Sequence, residues 1–198
     1  VVLAVPGINY SLLLHRSSQW PTFQAISNVA YTDPADRVLG LQLIQLLWDR
    51  GENDGYAQHL TENPYPGIEP KTVLLIEAFG DHQVANVATE VLARTIAAAV
   101  REPGLLDGRS NDVDPQWGIA PFDAANPAKA VLMVWDYGTP APPPNNLPPH
   151  PPEYGDDPHN GGSQEQRVLQ QAITFLLTGE IVEVCDDSAC TSNVLSPV

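Results

Sequence analysis

The chain has 198 residues, 24 acidic against 9 basic, for a formal net charge of -15. That balance argues against nucleic acid and against anionic membrane surfaces as partners. At 43% hydrophobic residues the chain can bury a core of single-domain size, and no apolar run reaches the length of a membrane span.

In chain order, residues 1–5 (Val-Val-Leu-Ala-Val) read as a buried strand that stops at Pro6-Gly7. The chain starts on this strand with neither an initiator Met nor a signal peptide, so it reads as the later part of something longer. Such a strand needs a neighbour, and the expectation is a parallel partner from an upstream segment or a second chain. Residues 9–14 mix apolar and polar side chains and suit a lid or the start of a crossover. Asp33-Pro34 opens a helix with a good cap and a proline at its first position. Its apolar residues, Val38 to Trp48, lie nearly all round, which predicts deep burial or a pocket wall; Gly51 ends it. Residues 56–60 suggest a short helix.

Residues 73–76 form a compact apolar run between turn signals, hence a buried strand. Phe79-Gly80-Asp81 is a turn. From Val84 to Val100 apolar residues recur at helical spacing, predicting a helix over 84–100. Residues 105–127 are a long irregular loop, a kind of segment that is often functional. Residues 130–135 are the next buried strand. Residues 139–158 carry nine prolines and exclude helix and central strand. They read as a stiff surface loop that delivers His159, with a polyproline ligand for a partner as the alternative. Ser163 with Gln166 suggests a capping box on a last helix that ends at Gly179, and residues 181–184 a short strand. In the tail, 185–198, Cys185 and Cys190 are close enough for a small disulfide loop, which would suit an exported, extracellular or periplasmic protein; free thiols are the alternative.

Strands alternating with helical or long connections predict an α/β domain with a parallel sheet and flanking helices. Functional side chains in such sheets gather beyond the carboxyl ends of the strands, which selects Asp81, Asp136 and His159. A carboxylate fixes the tautomer of an imidazole and stabilises its charged form, while the imidazole moves a proton near neutral pH. Asp81 opens toward a helix and is preferred over Asp136, although helix capping alone would also explain it. His82, His150, His15 and His59 read as loop, surface or helix-end residues. The pair Asp156-Asp157 lacks the ligand series of a calcium loop. Trp20, Phe23, Leu43, Leu47 and Trp48 suit core packing, or else an acyl pocket.

Residues 73–84 (Val-Leu-Leu-Ile-Glu-Ala-Phe-Gly-Asp-His-Gln-Val), His159-Asn160 and residues 175–179 (Phe-Leu-Leu-Thr-Gly) resemble the C-terminal half of an α/β-hydrolase of the lipase or esterase kind. The resemblance covers most of residues 1–198 and implies one partial domain. It places Asp81 and His159 as the second and third members of a Ser-Asp-His triad. It also implies a serine carboxylic-ester hydrolase acting on a small-molecule or lipid ester, without cofactor or metal. The family's Gly-x-Ser-x-Gly nucleophile elbow does not occur here. Ser11, Ser17, Ser18 and Ser163 lack its strand–elbow–helix context. The nucleophile is therefore expected on an upstream segment or second chain, and this chain alone is expected to be inactive. The alternative is a non-catalytic α/β-hydrolase-like binding module.

Overall fold

The computed structural model describes residues 1–195. In chain order the elements are β1 (Val2–Ala4), α1 (Tyr10–Leu13), α2 (Pro21–Ala30), α3 (Pro34–Trp48), β2 (Val73–Ala78), α4 (Asn86–Thr95), β3 (Ala99–Val100), β4 (Ala120–Pro121), β5 (Ala130–Asp136), α5 (Gln166–Thr178) and β6 (Cys190–Thr191). The strands form one sheet in the order β1-β2-β5-β3-β4, with β6 added to the end of β5, and every pairing is parallel. This is an α/β fold.

Parallel strands covered by helices on both faces need apolar residues on both faces, and β2 and β5 are buried at every position. Alternate residues go to opposite layers. Val73, Leu75, Leu132 and Val134 pack with Leu92 and Ile96 on the α4 side. Leu74, Ile76, Val131, Met133 and Trp135 pack with Val168 and Phe175 of α5 on the other. The tail closes on this second layer through the Cys185–Cys190 disulfide, whose Cα atoms are 5.2 Å apart.

Several expectations are corrected. The sheet has six strands, because β3, β4 and β6 are two-residue pairings too short to leave a periodic signal. The helix predicted over 84–100 runs only from Asn86 to Thr95. Ala97 then takes a positive φ of 51° and the chain enters β3. Ile96, Ala98, Ala99 and Val100 are apolar because they are buried at the sheet, and not because the helix continues; Ala97 is exposed. α3 has its predicted bounds and its Asp33 cap, but only Gln45 is buried. Leu43, Leu46 and Leu47 are exposed, since α3 lies at the rim against α1 and its apolar residues exceed the one face that contact covers. α2 follows Trp20 with Pro21 at its first turn and buries no residue. Residues 57–59 make only a 3-10 turn. The cap of α5 is Glu165, which accepts from the Arg167 backbone N–H, while Ser163 ends a preceding 3-10 turn, Pro158–Ser163. Residues 181–184 are irregular. The first strand pairs in parallel with β2 and stands at the end of the sheet, its other edge unpaired among the described residues.

Candidate active site

The carboxyl ends of β2 and β5 lie side by side, with Ala78 opposite Trp135. Beyond β2 the chain turns sharply at Gly80, whose φ of 81° and close approach to Pro140 O suit a residue without Cβ. Asn86, the first residue of α4, holds this turn from both sides. Its Oδ1 accepts from the Gly80 N–H at 2.8 Å, and its Nδ2 donates to Ala78 O at 2.7 Å.

Asp81 follows, 2% exposed. Its Oδ1 accepts from the backbone N–H groups of Gln83 at 2.7 Å and Val84 at 2.8 Å. Those bonds cap a turn and leave α4 untouched: the helix begins after Ala85 and has no side-chain cap. The second oxygen, Oδ2, is thereby aimed outward and meets His159 Nδ1 at 2.8 Å, across 78 residues of sequence. The bond fixes the neutral imidazole with its proton on Nδ1 and its lone pair on Nε2. Among the described residues no group hydrogen-bonds Nε2.

His159 sits on the 3-10 turn that ends the proline-rich loop, as expected of that loop. Asp157 caps the turn by accepting from the His159 N–H at 3.0 Å. The same carboxylate accepts from the His82 N–H at 3.2 Å and from Gln83 Nε2 at 2.8 Å. Asp157 thus ties the turn after β2 to the loop after β5, and holds acid and base in one frame. The Asp81 hydrogen bond raises the His159 pKa above its ordinary 6.5 against the opposing effect of partial burial, helped by the charges of Asp81 and Asp157.

His159 also lines a cavity of about 370 Å³ with Gly7, Leu13, Trp20, Phe23 and Val84. Trp20 is buried and Phe23 exposed, while Leu43 and Leu47 are exposed outside the cavity lining and Trp48 packs edge-on against Tyr10 at 5.8 Å. The expected set of five apolar residues is therefore divided: two belong to the cavity. Ser17 lines it too, but its Oγ accepts from the Gln19 N–H and makes no hydrogen bond to His159. Ser11 Oγ donates to Asn9 and Ser163 Oγ donates to Asn160 O. Ser18 contributes its backbone N–H to His82 O at 2.7 Å.

Asp136 is fully occupied elsewhere. Both its oxygens accept from the guanidinium of Arg109, Oδ1 at 2.8 Å, and Oδ1 also accepts from the Gly138 N–H. Arg109 further donates to Thr139 O and lies 5.3 Å from the Phe79 ring centroid, so the pair anchors the long loop onto the sheet. His82 lies in its loop but is buried, with Nε2 3.2 Å from Tyr154 O. His15 sits edge-on to Trp20 and His59 stacks on Tyr65. His150 is exposed. Sequence reasoning missed Asn86 and the bridging role of Asp157; only the Asp two residues before a candidate His hinted at the latter. Comparison with protein-family models, with curated proteins and with solved structures finds no match to the chain.

Proposed function

We propose that this chain supplies the acid and the base of a serine carboxylic-ester hydrolase of the α/β-hydrolase kind, with the nucleophilic serine on a segment outside these 198 residues. The observation that carries the reading is the Asp81 Oδ2–His159 Nδ1 bond at the carboxyl ends of two adjacent parallel strands, with Nε2 left without a partner among the described residues. In that reading His159 Nε2 takes the proton of the serine hydroxyl as its oxygen attacks the ester carbonyl. Asp81 stabilises the imidazolium that forms. His159 then returns the proton to the leaving alcohol, and a water deprotonated by the same nitrogen releases the acid. The apolar walls beside His159 favour an ester with an apolar acyl or alcohol part, lipids included. The disulfide fits an exported protein. No helix among the described residues is long and apolar enough to cross a membrane.

The test uses the full-length protein. It should hydrolyse p-nitrophenyl esters and lose that activity to a serine-directed phosphonylating reagent. His159→Ala should lower kcat by several orders of magnitude and Asp81→Asn by about 10⁴-fold, with the fold retained. Because the base must be neutral, activity falls as pH drops through the raised His159 pKa, and Asp81→Asn moves that limb to lower pH. Full activity in His159→Ala, or activity indifferent to the reagent, would sink the serine mechanism. A folded full-length protein without hydrolytic activity would leave the non-catalytic binding module as the better reading.

A further inference from the structure

Three carboxylates converge where α3 ends. Oxygens from Asp49, Glu52 and Asp54, one from each, lie within 4.8 Å of one another. Their hydrogen-bond donors are all neutral amides. Gln45 Nε2 donates to Asp49 Oδ1 at 2.6 Å and to Glu52 Oε1 at 2.7 Å, with Asp54 Oδ2 at 3.4 Å. Asn9 donates through its backbone N–H to Glu52 Oε1 at 3.2 Å and through Nδ2 to Asp54 Oδ2 at 3.1 Å. The Gln45 amide cannot turn over to relieve the crowding, because its Oε1 accepts from the Ser11 N–H at 2.9 Å. One NH₂ group, with two hydrogens, therefore faces three acceptors. No Lys, Arg or His among the described residues forms an ion pair with any of the three.

A second feature separates this trio from an ordinary acidic surface. Glu52 is only 7% exposed, and its Oε2 is buried with no hydrogen-bond partner. A buried carboxylate oxygen without a donor is strongly disfavoured unless a proton or a cation meets it. Among the described residues the remaining oxygens of Asp49 and Asp54 accept no hydrogen bond from protein either, and both residues are half-buried. Burial and mutual repulsion hold the Glu52 and Asp54 carboxyls above their ordinary range.

We propose that Asp49, Glu52 and Asp54 bind one Ca²⁺ ion, which ties the end of α3 to the turn that follows it. The donor set is all oxygen and all carboxylate, which selects a hard cation over zinc or copper. A spread within 4.8 Å fits inside a Ca²⁺ coordination sphere, about 4.6–5.2 Å across, with waters completing the shell from the open side. Mg²⁺ demands near-ideal octahedral geometry and keeps most of its own water, so it gains less from an irregular trio anchored by fixed amides. The ion joins three groups whose charges otherwise repel. It acts on the segment between β1 and β2 and is independent of the acyl-transfer reading, since neither Asp81 nor His159 touches it.

The full-length protein, stripped with chelator, should show a saturable rise in Tm on adding CaCl₂, half-maximal at roughly 10⁻⁴–10⁻³ M. MgCl₂ at equal concentration should give a much smaller rise. Tb³⁺ should bind one per chain, with emission sensitised through Trp48, next to Asp49, and Ca²⁺ should displace it. Asp49→Asn and Asp54→Asn should each weaken Ca²⁺ binding by about tenfold or more, and Glu52→Gln likewise. No Ca²⁺ response in the unaltered protein would overturn the proposal, as would a response that Asp49→Asn/Asp54→Asn leaves unchanged. If a variant folds poorly, Tb³⁺ emission from the unaltered protein decides: indole-excited emission displaced by Ca²⁺ supports the site, and its absence refutes it.

Discussion

Glu77 lies next to the carboxyl end of β2 and is 1% exposed, yet neither of its carboxyl oxygens has a hydrogen-bond partner among the described residues. Burial drives its pKa well above the ordinary 4.5; the nearby charges of Glu90 and Asp81 push the same way, against Arg94. The folded protein therefore holds this proton more tightly than the unfolded chain does. Stability contributed by that proton is complete below the unfolded pKa and is lost as pH rises from there toward the folded value. Glu77→Gln keeps the shape and cannot ionise. It should match the parent near pH 4.5 and exceed it by at least about 1 kcal/mol near pH 8, read from urea unfolding at both conditions. A difference that does not change with pH would mean that Glu77 is not the group that titrates. His159 shows the opposite logic. There a carboxylate partner outweighs partial desolvation and favours the charged form, whereas at Glu77 burial comes first and the opposing charge of Arg94 does not overcome it.

At the scale of elements, the strand–turn–helix from β2 to α4 is held by Asn86, which serves the Gly80 N–H and the Ala78 carbonyl at once. Asn86→Ala strands a buried donor and a buried acceptor, for about 2–4 kcal/mol of destabilisation. It should also lower the His159 pKa, because Asp81 is then held less firmly; a proton NMR titration beside thermal unfolding reads both, and an unchanged Tm would refute the role. The same segment shows what sequence can convey. β2 and β5 are legible because strands buried on both faces must be continuous apolar runs, and their polar exits then mark Asp81 and His159. The boundary of α4 was not legible, because Ile96, Ala99 and Val100 continue the helical spacing of Leu92 while residues 98–100 read equally well as a short buried apolar run. Nor was the exposure of α3 legible: an apolar helix announces burial, while only the positions of α1 and the sheet decide which of its residues are covered. Asn86 and Asp157 were beyond reach because their roles lie in backbone groups they meet only after folding, up to 75 residues away for Asp157 and His82.

Over the whole molecule, each helix-borne layer rests on strands drawn from distant parts of the chain, and the acid and base, 78 residues apart, meet only where β2 and β5 are already paired. Helical turns close locally and early, but parallel pairing must first bear the entropy of closing long loops. The Asp81–His159 hydrogen bond is thus expected among the last contacts to form, after the helices. In refolding followed by pulsed hydrogen exchange, amides of α5 should gain protection before those of Gln83 and Val84, which depend on a correctly placed Asp81. Simultaneous protection would argue that the sheet and its exits assemble in one step. If the acyl-transfer reading holds, late assembly has a benefit: the proton relay would exist only in molecules that have finished folding, and synthesis would pass with the chemistry switched off.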